Sequence, residues 1–260
     1  MPDRLLRPTA VLLDLDGVLY VEDERIPGAT EAVAALRDRG LRLRFVTNTT
    51  SRPRRDILAR LERLGMPVPD DELITPARLA VEHCLAAGRR RALLLMRDEV
   101  KPDLAGLEEV GGGAEVVVVG DLGEGFGYRV LNQAFRELLD GAELVALQKN
   151  RFWRTPDGLS LDVGPFVAAL EYATGRDAVV VGKPAPAFFA TVLAGLQVSA
   201  GDAVMVGDDV ESDVGGALRA GLAGVLVRTG KYRPEAVAAS GVEPTATVDS
   251  IVNVPTLLGT

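Results

Sequence analysis

Two aspartates stand two positions apart in the segment V-L-L-D-L-D-G, directly after an apolar run. Asp14 and Asp16 would project to the same side if a strand continued through them, although Gly17 indicates that the chain is already turning. Two carboxylates this close repel each other unless a cation or a shared proton relieves them. An aspartate at the end of a buried strand is also expensive without a partner. The pair is therefore a candidate functional site rather than a simple Asp-Gly turn.

A second acidic group lies in V-M-V-G-D-D-V-E-S-D, far along the chain. Asp208 and Asp209 follow another apolar run, and Asp213 comes five positions after Asp208. Alone, these acids would equally well cap a helix, because carboxylates favour its first turn. Together with Asp14 and Asp16 at one sheet edge, they concentrate negative charge that calls for a cation. Ligands that are all oxygen atoms select Mg²⁺ over zinc or copper.

Two further segments carry groups suited to a phosphate. Thr47 and Asn48, in F-V-T-N-T-T-S, offer a hydroxyl and an amide at a strand-to-helix junction, where backbone N–H groups also bind anions. A helix cap would have the same composition. Lys183, in V-G-K-P-A-P, is one of four lysines among 29 basic residues, so arginine is the usual cation of this chain. A compact ammonium neutralises a carboxylate and a phosphate oxygen together, which favours a specific role for Lys183.

Predicted strands and helices alternate along the chain and would position these residues. Apolar runs without polar interruptions suit strands that are covered on both faces of a parallel sheet. The predicted strands are Val11–Leu13, Leu41–Val46, Ala92–Met96, Val116–Val119, Leu144–Leu147, Ala178–Val181, Ala203–Val206 and Gly224–Val227. The predicted helices are Gly28–Arg39, Arg54–Leu64, Tyr128–Leu139, Pro165–Thr174, Ala185–Leu196 and Ser212–Ala220. This order predicts an α/β fold with a doubly wound parallel sheet.

The polar segments follow three of these strands. Because ligands of parallel sheets bind outside the carboxyl ends of the strands, the three strands are expected to deliver their polar groups to one edge. The middle section, roughly residues 75–176, has its own strands and helices but no such ending. It is therefore expected to be an inserted α/β domain.

The composition limits the classes of partner. The 260 residues are 47% hydrophobic and 25% charged, as in ordinary globular proteins. A formal net charge of −8 argues against a nucleic-acid surface, which needs a positive footprint. No apolar stretch reaches the ~18 residues of a membrane span, and residues 1–10 lack the features of a secretory signal. Since the single cysteine fits a reducing compartment, we expect a cytoplasmic protein without membrane or nucleic-acid partners.

Taken in order, the four polar segments resemble the motifs of the haloacid dehalogenase superfamily of aspartate-nucleophile phosphatases. D-L-D-G-V-L-Y is similar to the first motif, T-N-T-T to the second, V-G-K-P to the third and G-D-D-V-E-S-D to the fourth. The insertion between the second and third motifs resembles the C2-type cap of the NagD-like subfamily. L-N-Q-A-F-R, G-P-F-V-A-A-L-E-Y-A-T and R-T-G-K-Y-R-P resemble the branch that contains phospholysine phosphohistidine inorganic pyrophosphate phosphatase and its hydrolase-domain relative.

The resemblance implies a Rossmann-like core domain, residues 1–76 and 180–260, and an α/β cap domain, residues 77–179. It implies a Mg²⁺-dependent phosphatase that hydrolyses a small phosphorylated compound, a phosphate ester or phosphoramidate, through an aspartyl phosphate. It is also compatible with a homodimer, since many caps of this type pair with another subunit.

The resemblance assigns a role to each matching position. Asp14 would attack phosphorus, and Asp16 would act as general acid and then as general base. Mg²⁺ would be held by the Asp14 carboxylate, the backbone carbonyl of Asp16 and the Asp208 carboxylate. The remaining roles are contacts with the phosphoryl oxygens from Thr47 and Asn48, charge neutralisation by Lys183, and support of the metal's waters or of Lys183 by Asp209 and Asp213.

Two other functions stay open from the sequence. On the same core, an acceptor hydroxyl in place of water would make the protein a phosphotransferase or mutase. A phosphate-binding regulator that resembles a response receiver would also combine clustered acids, a hydroxyl residue and a lysine. Receivers are much shorter, however, and they lack an inserted cap.

Substrate specificity is expected to lie in the middle section. Lys149, Asn150, Arg151 and Trp153 follow a predicted strand and are candidate contacts with the leaving group, although they would also suit a surface turn with one buried aromatic. Phosphohistidine, phospholysine, pyrophosphate, sugar phosphates and nucleotides are all open as substrates. The single histidine, at position 83, is adjacent to the single cysteine, and because neighbouring helix positions do not face each other we expect neither to be catalytic.

Overall fold

The computed structural model describes residues 7–155 and 158–259. The first six residues of the stretch inspected for a secretory signal lie outside this part of the chain. The described chain divides into two compact units. The first contains the residues up to Thr47, Leu58–Ile74 and those from Lys183 onward, and the second contains Asn48–Ile57 and Thr75–Gly182.

Strands and helices alternate along the described residues. The strands are β1 (Ala10–Asp14), β2 (Tyr20–Val21), β3 (Glu24–Arg25), β4 (Arg42–Val46), β5 (Leu73–Ile74), β6 (Arg91–Leu95), β7 (Glu108–Glu109), β8 (Val116–Val119), β9 (Glu143–Ala146), β10 (Phe152–Thr155), β11 (Gly158–Leu161), β12 (Val179–Val180), β13 (Ala203–Gly207), β14 (Ala223–Val227) and β15 (Ala246–Val248). The α-helices are α1 (Ala29–Asp38), α2 (Arg54–Arg63), α3 (Pro76–Ala86), α4 (Tyr128–Leu139), α5 (Gly164–Thr174), α6 (Pro186–Leu196), α7 (Gly216–Arg219), α8 (Pro234–Ser240) and α9 (Val254–Leu257). Every predicted strand is confirmed, with its bounds shifted by one residue at most.

The first unit is built on a parallel sheet with the strand order β15-β14-β13-β1-β4-β5. The two central strands, β1 and β13, are buried along their whole length, as is typical of strands covered on both faces. Of the helices in this unit, α1 packs with α9 and α6 packs with α7. The sheet is the doubly wound, Rossmann-like sheet that the alternating pattern predicts.

The second unit has its own parallel sheet, with the strand order β12-β9-β8-β6-β7. Its central strand β8 is buried along its length and shares an apolar cluster with residues of α4 and α5. Phe126 and Phe166 stack beside this cluster with their ring centroids 3.8 Å apart. β10 and β11 form a separate antiparallel hairpin. The predicted inserted α/β fold is thus present in the second unit.

No helix in the described ranges is both long and apolar enough to cross a bilayer.

Candidate active site

The carboxyl edge of the first unit's sheet carries three of the predicted site residues. β13, β1 and β4 are parallel neighbours in this sheet, so their last residues lie at the same edge. Asp14 is the last residue of β1, Thr47 follows β4, and Asp208 follows β13. All three residues are buried. The strand order therefore gathers polar groups from distant parts of the chain.

Lys183 connects two acids at this edge. Its ammonium Nζ lies 2.5 Å from Asp14 Oδ1 and 2.7 Å from Asp213 Oδ1. Lys183 is 2% exposed and Asp213 is 1% exposed, so water screens these charges poorly. The lysine therefore fixes the position of the Asp14 carboxylate.

Burial and charge have opposite effects on Lys183. Burial alone lowers the pKa of its ammonium, but the charges of Asp14 and Asp213 and their hydrogen bonds outweigh burial and raise the pKa. The lysine is therefore protonated at neutral pH. Burial and the charges of Asp14 and Asp209 raise the pKa of Asp213 to about 7, although Lys183 opposes this effect.

Asp208 is less completely hydrogen-bonded than Asp213. Its Oδ2 accepts a hydrogen bond from the backbone N–H of Lys231 at 2.6 Å, whereas its buried Oδ1 has no hydrogen-bond partner among the described residues. Burial and the charges of Asp14 and Asp213 raise the pKa of Asp208 to about 8. A buried carboxylate oxygen without a partner is unfavourable unless a ligand satisfies it.

These carboxylates fit a divalent cation. Oxygen atoms of Asp14, Asp208 and Asp213 lie within 4.8 Å of one another, and Lys183 is the ammonium that contacts two of the three acids. Both oxygens of Asp213 are already engaged, one by Lys183 and the other by the backbone N–H of Asp209 at 3.2 Å. Asp14 and Asp208 are therefore better suited than Asp213 to bind an ion, and their oxygen atoms favour Mg²⁺.

Asp209 organises the chain between Asp208 and Asp213. Its Oδ1 accepts hydrogen bonds from the backbone N–H groups of Glu211 and Ser212 at 3.1 and 2.9 Å. Its carbonyl accepts from both Asp213 and Val214, and the bond to Val214 spans five residues, as in a π-helix. The predicted helix Ser212–Ala220 therefore begins as a π-helical turn, Val210–Gly215, and continues as α7.

The remaining predicted site residues lie in different surroundings. Asp16 is exposed on the turn after β1. Thr47 donates its backbone N–H to the carbonyl of Ile74 at 3.3 Å. Asn48, the next residue, is half-buried and belongs to the second unit.

Asp208 should make the stability of the metal-free protein depend on pH. Its pKa of about 8 in the folded state lies above the ~3.9 of an unfolded aspartate. The folded chain therefore binds more protons than the unfolded chain between these values, and the free energy of unfolding falls as pH rises. We expect a loss of about 2 kcal/mol from Asp208 between pH 6 and pH 8, measured by urea unfolding with a chelator present.

The Asp208→Asn variant is the control for this measurement. Because asparagine does not titrate, we expect its stability to fall less steeply over the same pH interval. Equal slopes for the two proteins would contradict the elevated pKa of Asp208.

A polar network in the second unit was not predicted from the sequence. Gln148 follows β9, is 2% exposed, and donates through Nε2 to Asp162 Oδ1 at 2.5 Å. Its Oε1 accepts from the backbone N–H of Asn150 at 2.5 Å. Burial raises the pKa of Asp162. The expectation that strands of the middle section lack polar endings is wrong here. The sequence signal was the polar segment Gln148–Arg151 after the apolar run Leu144–Leu147, of which only residues 149–151 were singled out.

The candidate specificity residues contact other residues of the second unit or are exposed. Lys149 pairs with Glu171 at 2.6 Å, the guanidinium of Arg151 lies 5.8 Å from the centroid of the Phe152 ring, and Trp153 is half-exposed on β10. The alternative that this turn buries its aromatic residue is therefore wrong.

His83 and Cys84 have separate environments, as expected for adjacent positions of a helix. His83 Nε2 lies 2.9 Å from Glu143 Oε2. Cys84 is buried, and burial raises the pKa of its thiol to about 11. At that pKa the thiol is protonated at neutral pH and is a poor nucleophile.

Comparison with known protein families gives two matches. The family model described as haloacid dehalogenase-like hydrolase matches residues 11–110. A second model, described as HAD-hydrolase-like, matches residues 180–254. These ranges include the sheet strands β1, β4, β13 and β14 and therefore the acidic cluster.

Curated relatives and solved structures are similar along most of the chain. Haloacid dehalogenase-like hydrolase domain-containing protein 2 of Bos taurus is 47% identical over 224 residues, which are 86% of this chain and 85% of the relative. Phospholysine phosphohistidine inorganic pyrophosphate phosphatase of Bos taurus is 41% identical over 264 residues, covering 98% and 96%. The structure of NagD from Escherichia coli K-12 matches with a TM-score of 0.85 at 26% identity, over 94% of this chain and 97% of that chain.

Proposed function

This chain belongs to the haloacid dehalogenase-like hydrolase family and is a NagD-like phosphatase, and we propose that Asp14 is its nucleophile and Mg²⁺ its cofactor. The observation that carries this proposal is the buried cluster in which Lys183 contacts Asp14 at 2.5 Å and Asp208 lies close by with one unsatisfied oxygen. The substrate is a small phosphate ester or phosphoramidate.

In the first step, a carboxylate oxygen of Asp14 attacks phosphorus and the bond between phosphorus and the leaving group breaks. The phosphoryl group is then attached to Asp14 as an acyl phosphate. Asp16, exposed on the turn two residues later, donates a proton to the departing oxygen or nitrogen. In the second step, Asp16 takes a proton from water, the water oxygen attacks phosphorus, and Asp14 is released with inorganic phosphate.

Lys183 supports the first step by neutralising charge. A carboxylate that approaches a phosphate dianion meets repulsion, and a fixed ammonium at 2.5 Å from that carboxylate reduces it. Asp213 holds the lysine from the other side at 2.7 Å. Because the ion pairs are buried, the ammonium does not need to reorganise during the reaction.

Mg²⁺ would be held by the carboxylates of Asp14 and Asp208 and by the backbone carbonyl of Asp16. When bound, it supplies positive charge that offsets the charge of the phosphoryl group and of the acidic cluster. The Oδ1 of Asp208, for which the described part of the chain offers no hydrogen-bond partner, supports this assignment. Asp209 supports the same segment through its hydrogen bonds to Glu211 and Ser212.

Different segments of the chain would recognise the phosphoryl group and the leaving group. We assign contacts with the phosphoryl oxygens to Thr47 and Asn48, at the end of β4. We assign the leaving group to residues 77–179, acting as the cap, with residues 1–76 and 180–260 as the catalytic core. The relative that is 41% identical is named for phospholysine, phosphohistidine and inorganic pyrophosphate, which supports testing phosphoramidates and pyrophosphate beside phosphate esters.

Asp208→Ala should raise the Mg²⁺ concentration needed for hydrolysis of 4-nitrophenyl phosphate. Removing a direct ligand should shift the midpoint of the Mg²⁺ titration by about a hundredfold or more. Mutation of residues that only support the ligands already lowers metal affinity by about 10–100-fold. The titration of initial rates measures this shift. Glu211→Gln, at an exposed acid three positions along, is the matched control and should keep the wild-type midpoint. An unchanged midpoint in Asp208→Ala would show that Asp208 is not a ligand of Mg²⁺.

A further inference from the structure

The turn that follows β14 contacts two parts of the acidic site. Thr229 donates its hydroxyl Oγ1 to the backbone carbonyl of Gly17, in the loop after β1. Two residues later, the backbone N–H of Lys231 donates to Asp208 Oδ2 at 2.6 Å. We call residues Thr229, Gly230 and Lys231 the 229–231 turn. It therefore connects the loop after β1 with the loop after β13.

Two glycines make this connection sterically feasible. Gly17 has φ +86° and Gly230 has φ +58°, conformations that other residues adopt at a cost. A Cβ added to either glycine would overlap the carboxylate of Asp208. The carboxylate thus lies between two stretches of backbone that carry no side chain. With Oδ2 engaged by Lys231, Oδ1 is the oxygen that has no hydrogen-bond partner among the described residues.

We propose that Thr229 is a positioning residue for the divalent cation, and that the 229–231 turn sets the spacing between its ligands. This inference rests on the proposed function. The hydroxyl of Thr229 holds the carbonyl of Gly17, which is the peptide next to the Asp16 carbonyl that we assign to the metal. The same turn holds Asp208 through Lys231. Loss of the Thr229 hydroxyl should therefore let the two ligands move relative to each other and weaken metal binding.

The side chain of Lys231 does not carry this role. It is 67% exposed, and its ammonium lies 3.8 Å from Asp209 Oδ2. The turn acts through the Thr229 hydroxyl and the Lys231 backbone. A hydroxyl-specific substitution at Thr229 is therefore the sharpest test.

The test compares Thr229→Val, which removes the hydroxyl at nearly constant volume, with Thr229→Ser, which keeps it. Thr245→Val is the matched control, because the Thr245 hydroxyl also bonds a glycine, accepting from Gly224 N–H at 3.0 Å, but at the opposite end of β14. Mg²⁺ affinity is measured by calorimetry on the full chain without substrate. We expect about tenfold weaker binding in Thr229→Val and less than about twofold change in Thr229→Ser and Thr245→Val, as for supporting residues of metal sites.

A kinetic readout separates positioning from general damage. In Thr229→Val, the Mg²⁺ midpoint for hydrolysis should rise with the calorimetric affinity, while kcat at saturating Mg²⁺ stays close to that of Thr229→Ser. Wild-type affinity in Thr229→Val, or equal losses in Thr229→Val and Thr245→Val, would overturn the inference.

Gly230→Ala provides a second, independent variant. Gly241 is its control, because it also has a positive φ, +66°, but an added Cβ there meets no atom within 4 Å. Both alanines strain the backbone, yet only Gly230→Ala collides with Asp208. We expect weaker Mg²⁺ binding in Gly230→Ala but not in Gly241→Ala. Equal affinities in these two variants would contradict the proposal that the 229–231 turn positions the metal ligands.

Failure of this inference is distinguishable from failure of the proposed function. If Asp208→Ala binds Mg²⁺ as tightly as the wild type, the metal site itself is misassigned. If Asp208→Ala loses binding while Thr229→Val retains it, only the role of the 229–231 turn is wrong.

Discussion

Replacing Asp14 by asparagine should lower the turnover rate of 4-nitrophenyl phosphate by about four orders of magnitude or more, as expected when a catalytic nucleophile is removed. The amide is a poor nucleophile and cannot form the acyl phosphate. It also lacks the charge that pairs with Lys183 at 2.5 Å. Initial rates at saturating Mg²⁺ measure the effect, and circular dichroism shows whether the fold is retained.

Asp16→Asn is the matched control for the nucleophile. It keeps Asp14 but removes the proposed acid and base, so it too should lose turnover. Because 4-nitrophenolate departs without protonation, this variant should still accumulate phosphoenzyme, detected after acid quenching with labelled substrate. Asp14→Asn should give no label. Normal turnover in Asp14→Asn, or label in that variant, would refute the assignment of the nucleophile.

Replacing Lys183 by methionine should destabilise the metal-free protein by about 3–5 kcal/mol, the range for removing one partner of a buried ion pair. The variant leaves Asp14 and Asp213 buried without the ammonium that lies 2.5 and 2.7 Å from them. Turnover should be lost as well, because the repulsion between carboxylate and phosphate is no longer offset. Urea unfolding in the presence of a chelator measures the stability.

Lys101→Met is the control for the loss of a lysine with two acidic partners. Lys101 pairs with Asp98 at 2.8 Å and Glu109 at 2.6 Å, but these partners are exposed, and such pairs contribute about 0–1 kcal/mol. Adding Asp213→Asn to Lys183→Met should recover part of the lost stability, because one uncompensated carboxylate is removed. Equal effects of Lys101→Met and Lys183→Met would contradict a strong buried pair.

The strands most visible in the sequence are the ones that are buried on both faces. β1 and β13 are buried throughout, and their uninterrupted apolar runs predict them with bounds close to those observed. β5 and β15 were missed because neither lies in an apolar run of four residues. β12 is as short, but it lies in the apolar run Ala178–Val181. The hairpin of β10 and β11 was missed for a different reason. Its large apolar residues are 49–65% exposed, so no buried face produces a regular pattern.

The members of the acidic site whose side chains take part in it were predictable from the sequence. Aspartates at strand ends and a rare lysine indicated Asp14, Asp208 and Lys183, and the structure brings them together. The 229–231 turn lies in R-T-G-K-Y-R-P, which the sequence indicated only as part of a family resemblance and not as part of the acidic site. Its contacts are a hydroxyl to a backbone carbonyl and a backbone N–H to a carboxylate, and any residue but proline supplies an N–H group. Such contacts depend on the meeting of β1, β13 and β14, which sequence periodicity does not specify.

The division of the chain between the two units has a consequence for protein synthesis. Most of the second unit is one continuous stretch, Thr75–Gly182, whereas in the first unit β1 pairs with β13, Ala10 opposite Ala203. A ribosome releases the amino-terminal part first, and domains generally fold as units while the chain emerges. The second unit is therefore complete while β1 still lacks β13, one of its two neighbouring strands. The cluster of Asp14, Asp208 and Asp213 can therefore assemble only after β13 and Asp213 have left the exit tunnel.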